Sequence, residues 1–333
     1  MLTVVVPAYN GGRELEECLA AITEGTRRPD ELIVVDDAST DDSGVRAAWR
    51  GARVITLAGQ PRGPAHARNA GVAAAAGDLI VFIDADVAVH ADALARLERR
   101  LRDDPTLVAV FGSYDNAPAA PDLVSQYKNL QHHWVHQHAR RDAQTFWAGC
   151  GAIRREAFLA IGGYDSAFER PAIEDIELGL RLTDAGLRVE LDREILCTHL
   201  KRWTLASLLQ ADIGGRAIPW CRQIARRGQA PHDLNLSNAA RWSGALSWLA
   251  LLALCAAPWY GPLWFVWLVT LGAVIGLNHA FYRFLWQRGG GRLLALGMAL
   301  HYAYYLYSTA VFVWIAAPAL VVRRVREMTR AQP

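Results

Sequence analysis

Through the first two hundred positions, short apolar runs alternate with segments whose apolar residues recur every three or four positions. Leu2–Val6, Glu31–Val35, Val54–Leu57, Leu79–Ile83 and Val108–Phe111 are strand-length runs rich in Val and Ile. Between them lie helical patterns: Arg13–Ala21, opening after Asn10-Gly11-Gly12; the alanine-rich Ala65–Ala76, closed by Gly77; and about Ala91 to Leu101. Strands alternating with helices predict an α/β domain with a mainly parallel sheet covered on both faces. Ligands of such sheets bind beyond the carboxyl ends of the strands. Asn10, Asp37, Asp84 and Asp86 all fall at such ends.

The pattern changes beyond about residue 204. Leu205, Leu208, Leu209, Ile213, Ile218 and Ile224 recur at helical spacing among arginines, which predicts amphipathic helices at a membrane surface or packing helices between domains. From Trp242 to Tyr282 no Asp, Glu, Lys or Arg occurs, and Leu293–Val322 is a second uncharged run. One apolar span needs about 20 residues, so the first run holds two, turning near Pro258-Trp259-Tyr260-Gly261-Pro262. The division expected is an α/β domain over 1–204, an interfacial linker over 205–238 and a transmembrane region over 239–333 with about three membrane segments. Arg222, Arg226 and Arg227 put the α/β domain on the cytoplasmic side of a cell inner membrane, in a multi-pass protein. Arg283, Arg288 and Arg292 agree with a returning hairpin, whereas a third full span would place Arg323, Arg324 and Arg326 outside.

Charge and cysteine content narrow the partners. The formal charge is +2, and after Asp233 the only acidic residue is Glu327, so positive charge gathers beside the most apolar stretch. That fits anionic lipid headgroups and not nucleic acid. Five cysteines without metal-ligand spacing read as buried free thiols of a reducing compartment. No signal peptide precedes the first strand.

The chemistry gathers at Asp84-Ala85-Asp86. A strand turns both carboxylates to one side, and two hard oxygen ligands suit Mg²⁺ or Mn²⁺ and, through it, a diphosphate; a solvated turn is the plain alternative. Tyr9 offers a face to a base, or packs; Asp37 can accept from a base N–H, or cap a helix with Ser39 and Thr40, with Asp36 the more structural of the two. Arg68, near a helix start, can bind an anion or tie its helix to the sheet.

Five motifs in order, Val4-Val5-Val6-Pro7-Ala8-Tyr9-Asn10, Val34-Val35-Asp36-Asp37-Ala38-Ser39-Thr40-Asp41, Ala67-Arg68-Asn69-Ala70-Gly71, Asp84-Ala85-Asp86 and Glu174-Asp175, resemble a membrane-anchored, inverting family 2 glycosyltransferase with the GT-A fold, over about residues 1–205. The resemblance implies a metal-dependent transfer of sugar from a nucleotide sugar, most often a UDP-sugar, with Mn²⁺ or Mg²⁺. It places Pro7, Tyr9 and Asp37 around the nucleobase, makes Arg68 a nucleotide contact, gives Asp84 to ribose and metal, and gives Asp86 to metal. Asp175 becomes the general base on the acceptor hydroxyl, a need that follows from how poor a nucleophile a sugar hydroxyl is. Phe146-Trp147-Ala148-Gly149-Cys150-Gly151 resembles the acceptor-side loop, its two glycines letting backbone approach a ligand. Trp147, Gly149, Gly151 and Glu174 are the acceptor candidates. His199 completes the metal set, with Lys201 and Arg202 neutralising the diphosphate. His132, His133, His136 and His138 read as a solvated or acceptor-facing surface and not as a metal site.

The membrane region implies a lipid-linked or membrane acceptor, such as a polyprenyl phosphate or a glycolipid. Two alternatives are a nucleotidyltransferase, against which Asn10-Gly11-Gly12-Arg13 is a poor basic glycine loop, and a processive polysaccharide synthase. The Gln-x-x-Arg-Trp motif of the latter is missing: Arg202-Trp203 lacks its glutamine, and Arg216-Ala217-Ile218-Pro219-Trp220 also departs from it. A catalytically dead anchoring module would have no use for Asp84, Asp86 and Asp175.

Overall fold

The computed structural model describes residues 1–228 and 238–330. It divides into two compact units, Met1–Pro121 with Asn129–Arg202, and Asp122–Lys128 with the chain from Trp203 onward.

In chain order the elements up to residue 199 are β1 (Leu2–Ala8), α1 (Gly12–Glu24), β2 (Glu31–Asp36), α2 (Ser43–Trp49), β3 (Arg53–Thr56), α3 (Pro64–Ala74), β4 (Leu79–Ile83), β5 (Val87–Val89), α4 (Ala93–Asp103), β6 (Leu107–Tyr114), α5 (Leu123–His138), β7 (Asp142–Ala143), β8 (Cys150–Arg154), α6 (Arg155–Ala160), α7 (Glu174–Asp184) and β9 (Arg188–His199). One sheet runs β3-β2-β1-β4-β8-β6-β9-β5, with β7 beside β9. β1 to β4 are mutually parallel, and β6 and β9 run the same way. β8 enters antiparallel between β4 and β6, and β5 and β7 oppose β9. The sheet is therefore mixed, with most strands parallel.

Central strands are apolar on both faces because helices cover both: Val4, Val5 and Val6 are all fully buried. α1 contributes Leu15, Cys18, Leu19 and Ile22, one helical stripe, to the core. α3 lies close enough to β1 that a Cβ on Gly71 would collide with Val5 Cγ1. Two insertions shape the far side. β8 pairs Ile83 with Cys150, returning the chain to the end of β4. β9 pairs with β6 at Phe111↔Leu191 and again at Ser113↔Leu196, so Asp192, Arg193 and Glu194 bulge out before the strand resumes. Beyond the bulge, Val87 of β5 pairs with His199.

The second unit contains α8 (Leu205–Leu209), a π-helical turn over Gln210–Ala217, α9 (Ile218–Arg227), α10 (Asn238–Ala256), α11 (Leu263–Leu277) and α12 (His279–Arg330). The segment read as amphipathic forms α8, the π-turn and α9; residues 229–237 of the expected linker lie outside the described residues, as do the side chains of Arg324 and Arg326. α12 breaks at Gly289 and Gly290, where backbone angles leave the helical range. Asn238–Ala256 and His279–Arg323 are long and apolar enough to cross a membrane, while α11, at 15 residues, is shorter than a usual span. Trp259 and Trp314 are each 85% exposed, unlike the core of a soluble bundle. Polar pairs join these helices: Tyr305 donates to Asn278 Oδ1 (2.8 Å), Asn278 donates to Ser243 Oγ (3.0 Å), and Trp248 Nε1 donates to the Leu306 carbonyl (2.9 Å).

Gly71→Val is expected to lower the stability of the full chain by about 1–3 kcal/mol through overpacking. Tryptophan-monitored thermal unfolding in detergent reads it, and an unchanged midpoint would contradict the α3–β1 packing.

Candidate active site

The carboxyl ends of β1, β2 and β4 deliver the residues that matter. After β1, Tyr9 is half exposed, and Asn10 adopts φ +50 with its Oδ1 accepting from Thr40 N (2.8 Å). After β2, Ala38 adopts φ +60, a left-handed conformation that a Cβ disfavours. Asp36 braces it by accepting from Ser39 N (2.9 Å). Asp37 is buried and accepts from the backbone of Arg62 (3.0 Å) and Gly63 (2.7 Å). It does not cap a helix; it holds the turn into α3. A carboxylate has about four lone-pair directions; Arg62 N reaches both oxygens and Gly63 N one of them, so about one remains for a ligand donor. Gly63, at φ +88, presses on the Glu169–Arg170 backbone, where a Cβ would sit 2.6 Å from Glu169 C.

α3 carries the central cation. Arg68 is 3% exposed and donates through Nη2 to Asp84 Oδ1 (2.6 Å) and through Nη1 to Glu174 Oε1 (3.0 Å). Its guanidinium lies over the Tyr164 ring, 5.4 Å from the centroid. The structure thus gives Arg68 the bridging role and buries it. Asn69 fixes the neighbouring loop at two points, accepting from Tyr164 N (2.9 Å) and donating to Tyr164 O (2.8 Å).

The turn after β4 brings Asp86 beside the end of β9. Leu200 N donates to the Asp86 carbonyl (2.8 Å); His199 Nε2 lies 3.6 Å and Lys201 Nζ 3.9 Å from Asp86 Oδ2. His199 Nδ1 bonds Asn129 Oδ1 at 2.7 Å. That contact turns Nε2 towards the Asp86 carboxylate. This donor set, with the imidazole oriented from behind, fits a hard divalent ion. Asp84, the third expected ligand, is turned to Arg68, and among the described residues no three such side chains converge as a closed cage. Arg202 is exposed beyond them.

The carboxylates are electrostatically unequal. Burial pushes Asp84 up, against the pull of Arg68 and aided by Asp86. For Asp86, burial also pushes upward, but His199 and then Lys201 outweigh it and hold the group at about 2. Asp175 opens α7 beside Glu174; burial first, then repulsion from Glu174, pushes it up to about 7 despite Arg68. Glu174, an expected acceptor contact, is buried between Arg68 and the Ala172 N–H (2.9 Å).

The acceptor-side strip differs from its expected reading. Gly149 and Gly151 do not open space for a ligand: a Cβ on Gly149 would strike the Trp147 indole, and one on Gly151 the Trp147 carbonyl and the Phe146 ring. The glycines seat Trp147. Its ring meets Tyr114 edge-on at 4.6 Å and His136 at 4.8 Å. Tyr114 stacks on His199 (4.5 Å, 21°) and on His132 (5.7 Å). The solvated reading of the histidine cluster therefore fails for His136, which is buried in this stack. Asn129 and Tyr114 went unread in sequence. Asn129 stands three before His132 on α5, so helical spacing carried its signal; Tyr114, ending β6, carried none.

The family model described as Glycosyl transferase family 2 matches residues 3–162, and that described as the N-terminal domain of galactosyltransferase matches 128–199. Glycosyltransferase GlyG of Streptococcus pneumoniae is 31% identical over 163 residues, 48% of this chain and 54% of its own length, so the chain spans about half of that relative. An uncharacterized glycosyltransferase of Mycobacterium tuberculosis is 34% identical over 196 residues, 57% of this chain and 83% of its own length. Among solved structures, a mannosyltransferase from Pyrobaculum calidifontis in complex with GDP-Man and Mn²⁺ superposes with a TM-score of 0.56 at 21% identity, covering 94% of this chain and 87% of that one; the likeness is one of fold.

Arg68→Met strands two carboxylates and is expected to destabilise the chain by about 3–5 kcal/mol, the range for breaking a buried pair. Adding Glu174→Gln should recover part of the loss in the same unfolding experiment. Equal melting of Arg68→Met and the native chain would contradict the bridge.

Proposed function

The chain belongs to glycosyltransferase family 2, and from that premise we propose that it is a metal-dependent, inverting enzyme taking sugar from a nucleotide donor, a UDP-sugar, to an acceptor held at the membrane. The observation that carries the reading is the divergence of its carboxylates: Asp86 held at about 2 beside His199, and Asp175 pushed up to about 7. Environments that separate carboxylates in this way assign them different roles.

Asp86 and His199 are the residues that would hold the metal, with Asp84 adjoining. When bound, a divalent cation supplies charge stabilisation to the departing diphosphate. The mannosyltransferase of similar fold was solved with Mn²⁺ and GDP-Man, which supports a cation and a nucleotide sugar as a class. Pro7, Tyr9 and Asp37 line the base, with Asp37 already oriented by Arg62 and Gly63. Lys201 and Arg202 meet the diphosphate. Asp175 takes the proton as an acceptor oxygen bonds to the anomeric carbon; the bond from that carbon to the diphosphate breaks, and the nucleoside diphosphate leaves with its electron pair. Arg68 is a positioning residue that fixes Asp84 and Glu174. The two long apolar helices support an inner-membrane location with the catalytic unit cytoplasmic, and an acceptor that is lipid-linked or lipid-borne.

Released nucleoside diphosphate, assayed with a donor panel and lipid extract, tests the reading. Asp175 must be ionised to act, so kcat/KM is expected to rise with pH to a plateau with an apparent pKa near 7. Asp175→Asn should lose about a hundredfold to ten-thousandfold in kcat. Its folded-state pKa is raised, so ionisation of Asp175 withdraws stability as pH climbs from about 4 to 7; Asp175→Asn should melt no lower than the native chain at pH 8. A flat pH profile with an active Asp175→Asn would remove the assignment. EDTA should abolish release and Mn²⁺ restore it, with Asn129→Leu needing about tenfold to hundredfold more Mn²⁺; an unchanged requirement would remove His199 from the metal.

A further inference from the structure

Asn129 holds His199 at one ring atom, Nδ1, across 2.7 Å. A single contact of this kind fixes a direction and leaves the plane of the ring to swing, because the second side-chain torsion of histidine is broad. Tyr114 sets that plane. Its ring stacks on the imidazole with centroids 4.5 Å apart and planes 21° from parallel. Both residues are buried, so a tilt of either ring must be taken up by its neighbour.

The backbone presents Tyr114 in this way for a reason. Tyr114 ends β6 and pairs with Cys197; Cys197 and His199, two apart on β9, face the same side of the sheet, and Tyr114 faces it with them. The next residue ties the chain down. Asp115 N donates to the Cys197 carbonyl (2.8 Å), and Asp115 Oδ2 accepts from Thr198 Oγ1 and lies 2.9 Å from His90 Nε2.

The plane of the Tyr114 ring rests in turn on Trp147, which meets it edge-on at 4.6 Å and 61°. Gly149 seats the indole: a Cβ there would stand 2.4 Å from Trp147 Cζ2. Trp147 is partly exposed. Three rings therefore run in contact from a partly exposed indole to a buried imidazole, whose Nε2 is 3.6 Å from Asp86 Oδ2.

We propose that Tyr114 is a positioning residue that couples Trp147 to the divalent-ion site: it holds the ring plane of His199, and a change in the seating of the indole reaches the ion through it. The proposal rests on the reading of Asp86 and His199 as ligands of that ion. Coupling of this kind is reciprocal, so an ion at His199 steadies Trp147, and a ligand laid against Trp147 tightens the ion. A competing route runs through the backbone, where the Gly149 carbonyl accepts from Asp84 N (3.3 Å) and joins the same strip to the aspartate turn without any ring.

The test titrates the full chain in detergent micelles with Mn²⁺, alone and again with UDP, counting free Mn²⁺ by electron paramagnetic resonance against a protein-free reference. No turnover enters the measurement. An aromatic contact is worth about twofold to tenfold in an equilibrium, and Tyr114→Leu is expected to weaken Mn²⁺ binding by that factor. Tyr114→Phe, which keeps the ring, should bind as the native chain does. Trp147→Leu should weaken binding on its own and add nothing in the Tyr114→Leu background. Native affinity in Tyr114→Leu overturns the proposal. So does equal weakening by Tyr114→Leu and Tyr114→Phe, which assigns the effect to the hydroxyl, and so does a Trp147→Leu effect that persists in full beside Tyr114→Leu, which assigns it to the Gly149–Asp84 route. Should circular dichroism show that Tyr114→Leu does not fold, Trp147→Leu decides alone, and native affinity there overturns the coupling. His199→Ala separates the two levels. Weaker binding in His199→Ala beside an unaffected Tyr114→Leu leaves the metal reading standing without the coupling. A native chain that binds no Mn²⁺, or binds it no better than His199→Ala, removes both.

Discussion

The guanidinium of Arg68 is the constraint on which the site depends. One buried cation on α3 holds Asp84 at the end of β4 and Glu174 at the start of α7, residues 90 apart in sequence. Gly71 lets α3 lie close to β1 by leaving room for Val5. Asn69 and Gly63, on either side of Arg68, fix Tyr164 and the Glu169–Arg170 backbone. The helix thus fixes the turn after β2, the strand end with the paired aspartates and the loop leading to Asp175. Its net effect on Asp175 is limited because its hydrogen bonds go to the other two carboxylates. Burial first, and then repulsion from Glu174, push Asp175 up to about 7 despite Arg68.

Much of the fold was legible because parallel strands buried on both faces write themselves as unbroken apolar runs, as in Leu2–Val6 and Leu79–Ile83. The aspartates that follow such runs needed no further signal. β8 was not legible: Cys150–Arg154 is short, carries two small residues and gains its strand identity from pairing between β4 and β6. The same gap misled the reading of Gly149 and Gly151, whose missing side chains serve Trp147 and Phe146, not a ligand. Asp37 illustrates a third limit. Its proximity to Ser39 and Thr40 suggested a local cap, whereas its partners lie 25 and 26 residues onward.

The second unit follows a different logic. Its helices turn large apolar side chains outward and keep polar ones for each other, the inverse of the α/β unit. Lys128 and Asp212 form a buried pair at 2.6 Å, and Tyr307 adds a hydrogen bond to Asp212 (2.8 Å). Burial pushes Lys128 down to about 8, while the same pair keeps Asp212 low against its own burial. Asp212 sits in the π-helical turn, where a widened ring of backbone hydrogen bonds alters the angular position of a side chain relative to an α-helix.

The bulge in β9 separates two distances that a sequence reader is inclined to equate. β9 is pinned to β6 at Leu191 and again at Leu196, then to β5 at His199. The three charged residues between the first two pins belong to no ladder position. Spatial separation between Asp86 and His199 is therefore set by hydrogen-bond register, while the number of residues between them is not. The Asp86–His199 pair is a fixed geometric figure drawn with a slack thread, and a counting rule along the chain has no purchase on it.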